Sequence, residues 1–301
     1  MEPGQVRGYP IDLRSKAPAP RWPPHWLEVP GSHRFIRVAQ WGLGAYERYL
    51  AGEGEQWLAV LEPAVEYLLS HQVGSGRQEG AWLEPLPSRY TFPISGHWPS
   101  AMAQGECASL LVRVHLETGN EQLAEAATRA LLPLSVPSAE GGVEAVLRGH
   151  SFPEEYPTAR PSFVLNGAMF ALWGVHDVWR GLGDETAGKR FRAGADMLVE
   201  ALPLWDLGYW SRYDLYPHRG PGNLIAPGNV ASLSYHRLHL NQLRAFHRLE
   251  PRPQLAAMAD RFEAYLGRSV NLGRAYARKA LFRLIVPSGP RFGRWFSSGA
   301  A

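Results

Sequence analysis

The sequence predicts an all-α fold: an α/α toroid, or incomplete α/α barrel, of about four helical hairpins, with an extended N-terminal arm and a basic C-terminal tail. Three observations predict it. Helix–turn–helix stretches recur with hinges near residues 52, 119, 183 and 250, separated by 67, 64 and 67 residues. A supersecondary unit repeated at nearly fixed period marks a repeat architecture. The hinges are short, whereas the connections between hairpins (74–97, 135–162 and 205–232) are long and rich in Gly and aromatic residues. Short hinges close one end of every hairpin, so a ring of hairpins gathers all three long connections around the opposite mouth. Loops longer than ~15 residues inside a compact domain usually carry function.

In chain order, residues 1–32 hold seven prolines among scattered aromatics, a composition that favours an extended arm. Tyr9, Trp22 and Trp26 are expected to lay this arm across the body. Residues 33–266 form the predicted barrel. Its hairpins pair RFIRVAQWGLGAYERYL with QWLAVLEPAVEYLLSHQ, and WPSAMAQGECASLLVRVHLE with EQLAEAATRALLPL. They continue with PSFVLNGAMFALWGVHDVWRGL and ETAGKRFRAGADMLVEALPL, then SLSYHRLHLNQLRAFHRLE and PQLAAMADRFEAYL. Residues 267–301 are the tail. They contain seven Arg or Lys and no Asp or Glu, more than the whole chain's net charge of +3. The segment ARKALFRLIV is expected to pack over the open seam of the ring, with contact to a membrane surface or an anionic glycan as the alternative.

A chain of 301 residues with 45% hydrophobic residues has ample core for one large domain or two ordinary ones. Eleven Trp and twelve Tyr suit a carbohydrate cleft, where rings stack on sugar faces, and equally an aromatic-rich core. No nucleic-acid-binding module pattern accompanies the basic tail, and no nucleic-acid partner is expected. The single cysteine, Cys107, excludes an intrachain disulfide and a cysteine zinc site, and its apolar helical setting reads as a small buried hydrophobe. Without a charged-then-apolar leader or a run of 18 apolar residues, the chain is expected to be soluble and cytoplasmic.

The chemistry concentrates in residues 151–178, SFPEEYPTARPSFVLNGAMFALWGVHDV. Pro153, Pro157 and Pro161 exclude a regular helix from its first half. That half presents Glu154, Glu155 and Tyr156. Its second half is helical, with Ser162 as the expected N-cap and Asn166 one turn in. A proline-rich turn with solvent-facing glutamates is the alternative. Tyr90 and His97, and Tyr209, Tyr213 and Tyr216, lie on the other long connections and are expected over the same cavity.

No GxGxxG, Walker loop, GxSxG or HExxH occurs. His236 and His239 share a helix face, but no third and fourth zinc ligand accompanies them, so no metal is expected and they read as hydrogen-bonding groups at the mouth. Phenols, carboxylates and imidazoles fit proton transfer α to a carboxylate, that is, at C5 of a uronic acid. Such an enzyme must neutralise the carboxylate, remove the proton from one face and hold an acid on the other. The same first step with loss of the C4 substituent makes a polysaccharide lyase. A hydrolase would need paired carboxylates, which Glu155 with Asp206 or Asp214 would supply.

EEYPTARPSFVLNGAMFALWGVHDV resembles the signature of the C-terminal domain of D-glucuronyl C5-epimerases, the heparan sulfate and heparosan enzymes. WPSAMAQGECASLLVR, RYDLYPH and SYHRLHLNQL resemble further segments of that domain, in the same order. The resemblance implies an α/α barrel that converts D-glucuronosyl to L-iduronosyl residues in a polysaccharide or lipid-linked glycan, without a cofactor. By position it makes Glu155, Tyr156, Tyr213 and Tyr235 the catalytic candidates. Gln104, Asn166, His236, His239 and Asn241 fall in matched motifs as substrate-positioning candidates, and bracing the fold is the alternative for Gln104 and Asn241. Animal members carry an arginine soon after YDL, suited to the substrate carboxylate. Here Tyr216 and Pro217 follow Leu215, and Arg219 becomes the candidate. The larger enzymes also carry N-terminal β domains, where this chain has its arm. A uronic-acid glycan is thus the expected substrate, with a homodimer and peripheral membrane contact through the tail left open. A lyase or a non-catalytic glycan-binding protein on the same fold is the alternative. The expected geometry brings Tyr156, Tyr213 and Tyr235 to one cavity, with hydroxyls facing each other across a gap one sugar ring wide.

Overall fold

A computed structural model describes residues 6–28, 34–88 and 91–287. The first hairpin pairs α1 (Arg34–Leu50) with α2 (Gln56–Ala59) and α3 (Leu61–His71). The second pairs α4 (Ala101–Thr118) with α5 (Glu121–Arg129), the third α6 (Leu165–Leu182) with α7 (Glu185–Ala201), and the fourth α8 (Leu233–Leu249) with α9 (Pro253–Leu266). A last helix, α10 (Ser269–Ile285), lies in the basic tail. The long connections carry two small antiparallel pairs, β1 (Leu83–Glu84) with β2 (Trp98–Pro99) and β3 (Glu144–Leu147) with β4 (His150–Pro153).

The hinges explain the reversals. α4 and α6 both end on a left-handed glycine, Gly119 (φ 68°) and Gly183 (φ 75°), a conformation open to a residue without Cβ. The next residue in each case, Asn120 or Asp184, caps the following helix by accepting from amides in its first turn. At the fourth hinge α8 stops before Pro251, and α9 starts on Pro253, whose missing N–H costs nothing at a first helical turn.

The first helices of the hairpins pack in succession, α1 on α4, α4 on α6 and α6 on α8, with α3, α5, α7 and α9 outside them. The α4–α6 contact is the most intimate. Gly105 and Gly174 face each other there, and an added Cβ on either would collide with the other helix's backbone. Among the described residues no pairing of comparable extent joins α8 to α1. The fold is therefore all-α as expected, and its helices form an arc that helix–helix packing does not close.

The arm crosses the hinge end of this arc. It is hydrogen-bonded near the C-termini of three of the four inner helices, α1, α4 and α8: Tyr9 N–H donates to Glu47 (2.5 Å), Arg113 donates to the Arg7 and Gly8 carbonyls (2.9 and 3.0 Å), and Arg248 donates to the Pro10 carbonyl (3.2 Å). Arg113 is itself held by Asp177 at 2.6 Å, both side chains buried. Farther along, Trp22 rests on Trp41 (centroids 5.2 Å apart), and Arg37 lies over Trp26 at 4.1 Å.

In the tail, α10 packs on α9 and reaches the mouth. Lys279 Nζ donates to Asn229 Oδ1 (2.7 Å) and the Val230 carbonyl (2.9 Å), and Arg283 donates to Thr91 Oγ1 (3.0 Å). Residues 288–301 lie outside the described set. No helix among the described residues is long and apolar enough to cross a membrane.

Candidate active site

Strand β4 delivers Glu154 and Glu155 to the mouth, and the two carboxylates part company there. The Glu154 backbone is clamped, its N–H donating to the Val143 carbonyl (2.7 Å) and its carbonyl accepting from Ala101 N–H (3.0 Å) at the start of α4. Its carboxylate accepts from Ser162 N–H (2.8 Å), the Ser162 hydroxyl and Phe163 N–H (2.9 Å). These bonds close residues 154–163 into one loop. Burial pushes the Glu154 carboxyl up to about 7 against the pull of those donors. The expected cap role of Ser162 is corrected here: its hydroxyl is committed to Glu154, and Val164 is the N-cap of α6.

Glu155 turns towards the helices. It lies against Gly167 in α6, where an added Cβ would collide with its Oε2. That oxygen is buried and without a hydrogen-bond partner. Burial pushes the Glu155 carboxyl up to about 8; a hydrogen bond from Tyr156 opposes the shift, and the Glu154 and Asp214 charges add to it. Tyr156 is sandwiched by Phe92 (centroids 4.3 Å apart, stacked) and Trp98 (5.6 Å). Tyr213 adjoins both other phenols: its ring meets that of Tyr235 edge to face at 4.7 Å, and it interacts electrostatically with Tyr156. Burial, with the nearby Glu155 charge, raises all three phenols above their ordinary value, so each is held neutral.

Glu155, Tyr156, Asn166 and Tyr235 line one cavity of about 480 Å³, which runs between the inner helices down to Ile11–Lys16 of the arm. That size lies within the usual range for a small-ligand site. Tyr213 stands behind it, 9% exposed, bridging the two phenols that reach the cavity. The three tyrosines therefore do come together, but the expected sugar-wide gap between all their hydroxyls is corrected: Tyr213 and Tyr235 are in ring contact at 4.7 Å, and Tyr213 interacts with Tyr156.

The remaining candidates separate. Gln104 is a core brace: its Oε1 accepts from Trp82 N–H and its Nε2 donates to the Gly80 and Ala130 carbonyls, each at 2.9 Å. His236 and His239 are fully buried away from the cavity, with the Ser211 hydroxyl between their Nδ1 atoms (2.8 and 3.0 Å). Trp210 stacks on His236 at 3.9 Å, so these imidazoles pin the 205–232 connection onto α8. Asn241 lies on the exposed face of α8. Arg219 lines a different cleft, of about 430 Å³, with Arg160 and His218.

Neither aspartate offered as a hydrolytic partner lines the cavity with Glu155. Asp206 is taken by Arg261 (2.8 Å) and the Tyr265 hydroxyl (3.0 Å). Asp214 accepts from His218 (2.9 Å), Asn229 (2.5 Å) and Tyr216 N–H (3.0 Å). Tyr90 lies outside the described residues, His97 is exposed, and Tyr209 is buried under Arg274 at 3.9 Å. Among the described residues no three His, Cys, Asp or Glu side chains gather as metal ligands.

Sequence reasoning missed Phe92, the ring that covers Tyr156, and Lys279, which lies 5.9 Å from the Tyr213 ring. Lys279 is held at the mouth by burial, which brings its amine down to about 8. The basic excess of the tail was visible in the sequence; which loop it would meet was not.

Comparison with known proteins gives three findings. The model of the D-glucuronyl C5-epimerase C-terminus matches residues 87–264. A D-glucuronyl C5-epimerase of Caenorhabditis elegans is 29% identical over 265 residues, 83% of this chain and 40% of the worm protein. An uncharacterized protein of Methanocaldococcus jannaschii is 28% identical over 137 residues, 43% of this chain and 44% of that protein. The chain thus spans about two fifths of the length of the worm enzyme.

Proposed function

The chain belongs to the family defined by the D-glucuronyl C5-epimerase C-terminus, and from that premise we propose that it inverts C5 of a D-glucuronosyl residue, giving L-iduronosyl, within a polysaccharide or lipid-linked glycan. The observation that carries this reading is the cluster Glu155–Tyr156–Tyr213–Tyr235, whose first three members are buried and whose Tyr235 is 39% exposed, with Glu155 and Tyr235 lining one cavity.

The C5 hydrogen of a uronosyl residue is a very weak acid, so its removal needs a base in contact and stabilisation of charge on the adjoining carboxylate. Glu155 suits the base. Its carboxyl titrates near 8, its Oε2 is free, and Gly167 leaves it room against α6. Tyr235 suits the acid: burial holds its phenol neutral, and it enters the cavity from α8 while Glu155 and Tyr156 enter from the loop before α6. Abstraction by Glu155 on one face and donation by Tyr235 on the other inverts the carbon. Tyr213 and Tyr156 then link the depleted phenol to the protonated carboxyl, and a proton passed along that chain restores both.

Incubation with uronic-acid glycans in D2O tests this reading. Deuterium at C5 supports it, and no label across several uronic-acid polymers sinks it. An unsaturated product in place of labelled sugar assigns lyase chemistry.

A further inference from the structure

Epimerisation at C5, on which this inference rests, needs a positive charge near the substrate carboxylate, and the groups named so far supply none. Arg219, the sequence candidate, lines a separate cleft. Lys279 and Arg283 do not line the cavity and are committed to Asn229 and Val230 and to Thr91. The cavity that holds Glu155, Tyr156 and Tyr235 has one cationic side chain among its described lining residues, and it comes from the arm: Lys16.

We propose that Lys16 is the carboxylate-binding residue of this site, and that the N-terminal arm thereby completes it. The arm fixes the Lys16 backbone while leaving its ammonium unspent. Lys16 ends a short 3-10 turn, Arg14–Lys16, and its N–H donates to the Leu13 carbonyl at 2.8 Å. Leu13 and Ala17, on either side of that turn, are buried. The Ala17 carbonyl accepts from Arg48 Nε at 2.8 Å. Gly44 of α1 admits the Leu13 carbonyl to a place that any Cβ would occupy. The neighbouring acid in the cavity wall, Asp12, is already paired with Arg14 at 2.7 Å. Lys16 has no ion pair among the described residues; its charge acts on the buried Glu106 carboxyl, which burial raises well above its ordinary value and holds neutral, so the ammonium is not spent on it. An ammonium is a compact charge with three donors on a flexible stem, which suits a monodentate grip on a carboxylate that must gain charge as C5 loses its proton. The cavity walls add Asn166, a neutral amide whose buried Oδ1 has no hydrogen-bond partner and can accept from a hydroxyl of the same sugar, while Gln40 donates to Glu106 at 3.0 Å.

Lys16→Ala, Lys16→Arg and the unaltered protein are compared in two assays. The first is C5 deuterium exchange on oligosaccharides of alternating glucuronic acid and N-acetylglucosamine. The second is calorimetric binding of the same oligosaccharides, intact and with their carboxyls reduced to primary alcohols. A hydrogen bond to a charged group corresponds to a roughly ten- to hundredfold effect. Lys16→Ala is therefore expected to lose that much in exchange and in affinity for the intact glycan, with no loss for the reduced one. Lys16→Arg is expected to retain most of both. Because Lys16 is exposed, unaltered circular dichroism is expected in both variants.

Equal exchange and equal carboxylate-dependent affinity in Lys16→Ala overturn the proposal. If the unaltered protein binds but exchanges nothing, the epimerase reading fails, and the binding comparison alone decides Lys16. A protein that neither binds nor exchanges overturns both.

Discussion

Tyr213 and Tyr235 meet edge to face, ring centroids 4.7 Å apart at 66°, although one sits in a mouth loop and the other in the first turn of α8. The contact depends on two backbone links. Tyr213 N–H donates to the Asn229 carbonyl at 2.8 Å, and its own carbonyl accepts from Leu165 N–H at 3.3 Å at the start of α6. Tyr213 is thus held on one side by the start of α6 and on the other by the connection that leads into α8.

Tyr213→Phe removes the bridging hydroxyl without removing the ring. The fold is expected to survive at a cost of about 1 kcal/mol. Steady-state turnover should fall by a factor of ~100 or more, as for other positioned proton carriers. A burst of exchange limited to one turnover per site would show that abstraction persists while the relay fails. Unchanged steady-state turnover would remove Tyr213 from the mechanism.

Glu155 makes a prediction about stability and pH. Its folded-state pKa, about 8, lies above the ordinary value of 4.5. Between these values the folded state binds the extra proton, so the group's contribution to stability is fully present below about 4.5 and is lost as pH rises to 8. Glu155→Gln is isosteric and cannot ionise. It should therefore match the unaltered protein near pH 4.5 and exceed its stability at pH 9 by on the order of 5 kcal/mol. Denaturant titrations at the two pH values check this, and a gap that does not widen with pH would refute the buried, uncompensated carboxyl. Exchange by the unaltered protein should rise with pH towards 8, and Glu155→Gln should abolish it.

The separation of core from site residues is open to a direct check. Asn241→Ala should leave melting temperature and exchange rate unchanged, since exposed substitutions away from special features typically stay within about 0.5 kcal/mol. Ser211→Ala strips the shared partner from two buried imidazoles and should cost about 1–3 kcal/mol, while the rate per folded molecule holds. A rate collapse in Asn241→Ala would return that residue to the site.

Asp177→Asn tests how the arm is held. Removing one partner of a buried ion pair costs roughly 3–5 kcal/mol, and here the stranded partner, Arg113, also carries the Arg7 and Gly8 carbonyls. Hydrogen exchange should then quicken at residues 6–17 before it quickens in α4 or α6. Uniform acceleration across the chain would detach the arm from this pair.

Much of this arrangement was legible in the sequence. The hinge glycines Gly119 and Gly183 and the caps that follow them are local signals, and the repeat spacing placed the long connections at one end. Local signals also marked the loop of Glu154–Tyr156, because its prolines forbid helix. What was not legible depended on long-range partners. Nothing local distinguishes a histidine that faces the lumen from one that grips Ser211, so His236 and His239 were read towards the mouth. Glu154 and Glu155 are adjacent and chemically alike; only the donors of Ser162 and Phe163, and the space left by Gly167, divide a loop clamp from a free acid. The cations were read from the order of motifs, which favoured Arg219. Lys16 instead enters the cavity wall from the arm and Lys279 comes to the Tyr213 ring from α10, both through long-range packing.

The central claim is tested most directly by nuclear magnetic resonance on a glucuronic-acid oligosaccharide incubated with the protein in D2O. The account predicts deuterium at C5 and the appearance of L-iduronosyl signals, both lost in Glu155→Gln and, in steady state, reduced by a factor of ~100 or more in Tyr156→Phe. Saturable glycan binding with no deuterium at C5 and no new epimer, across several uronic-acid polymers, would contradict it and leave a glycan-binding protein on an epimerase fold.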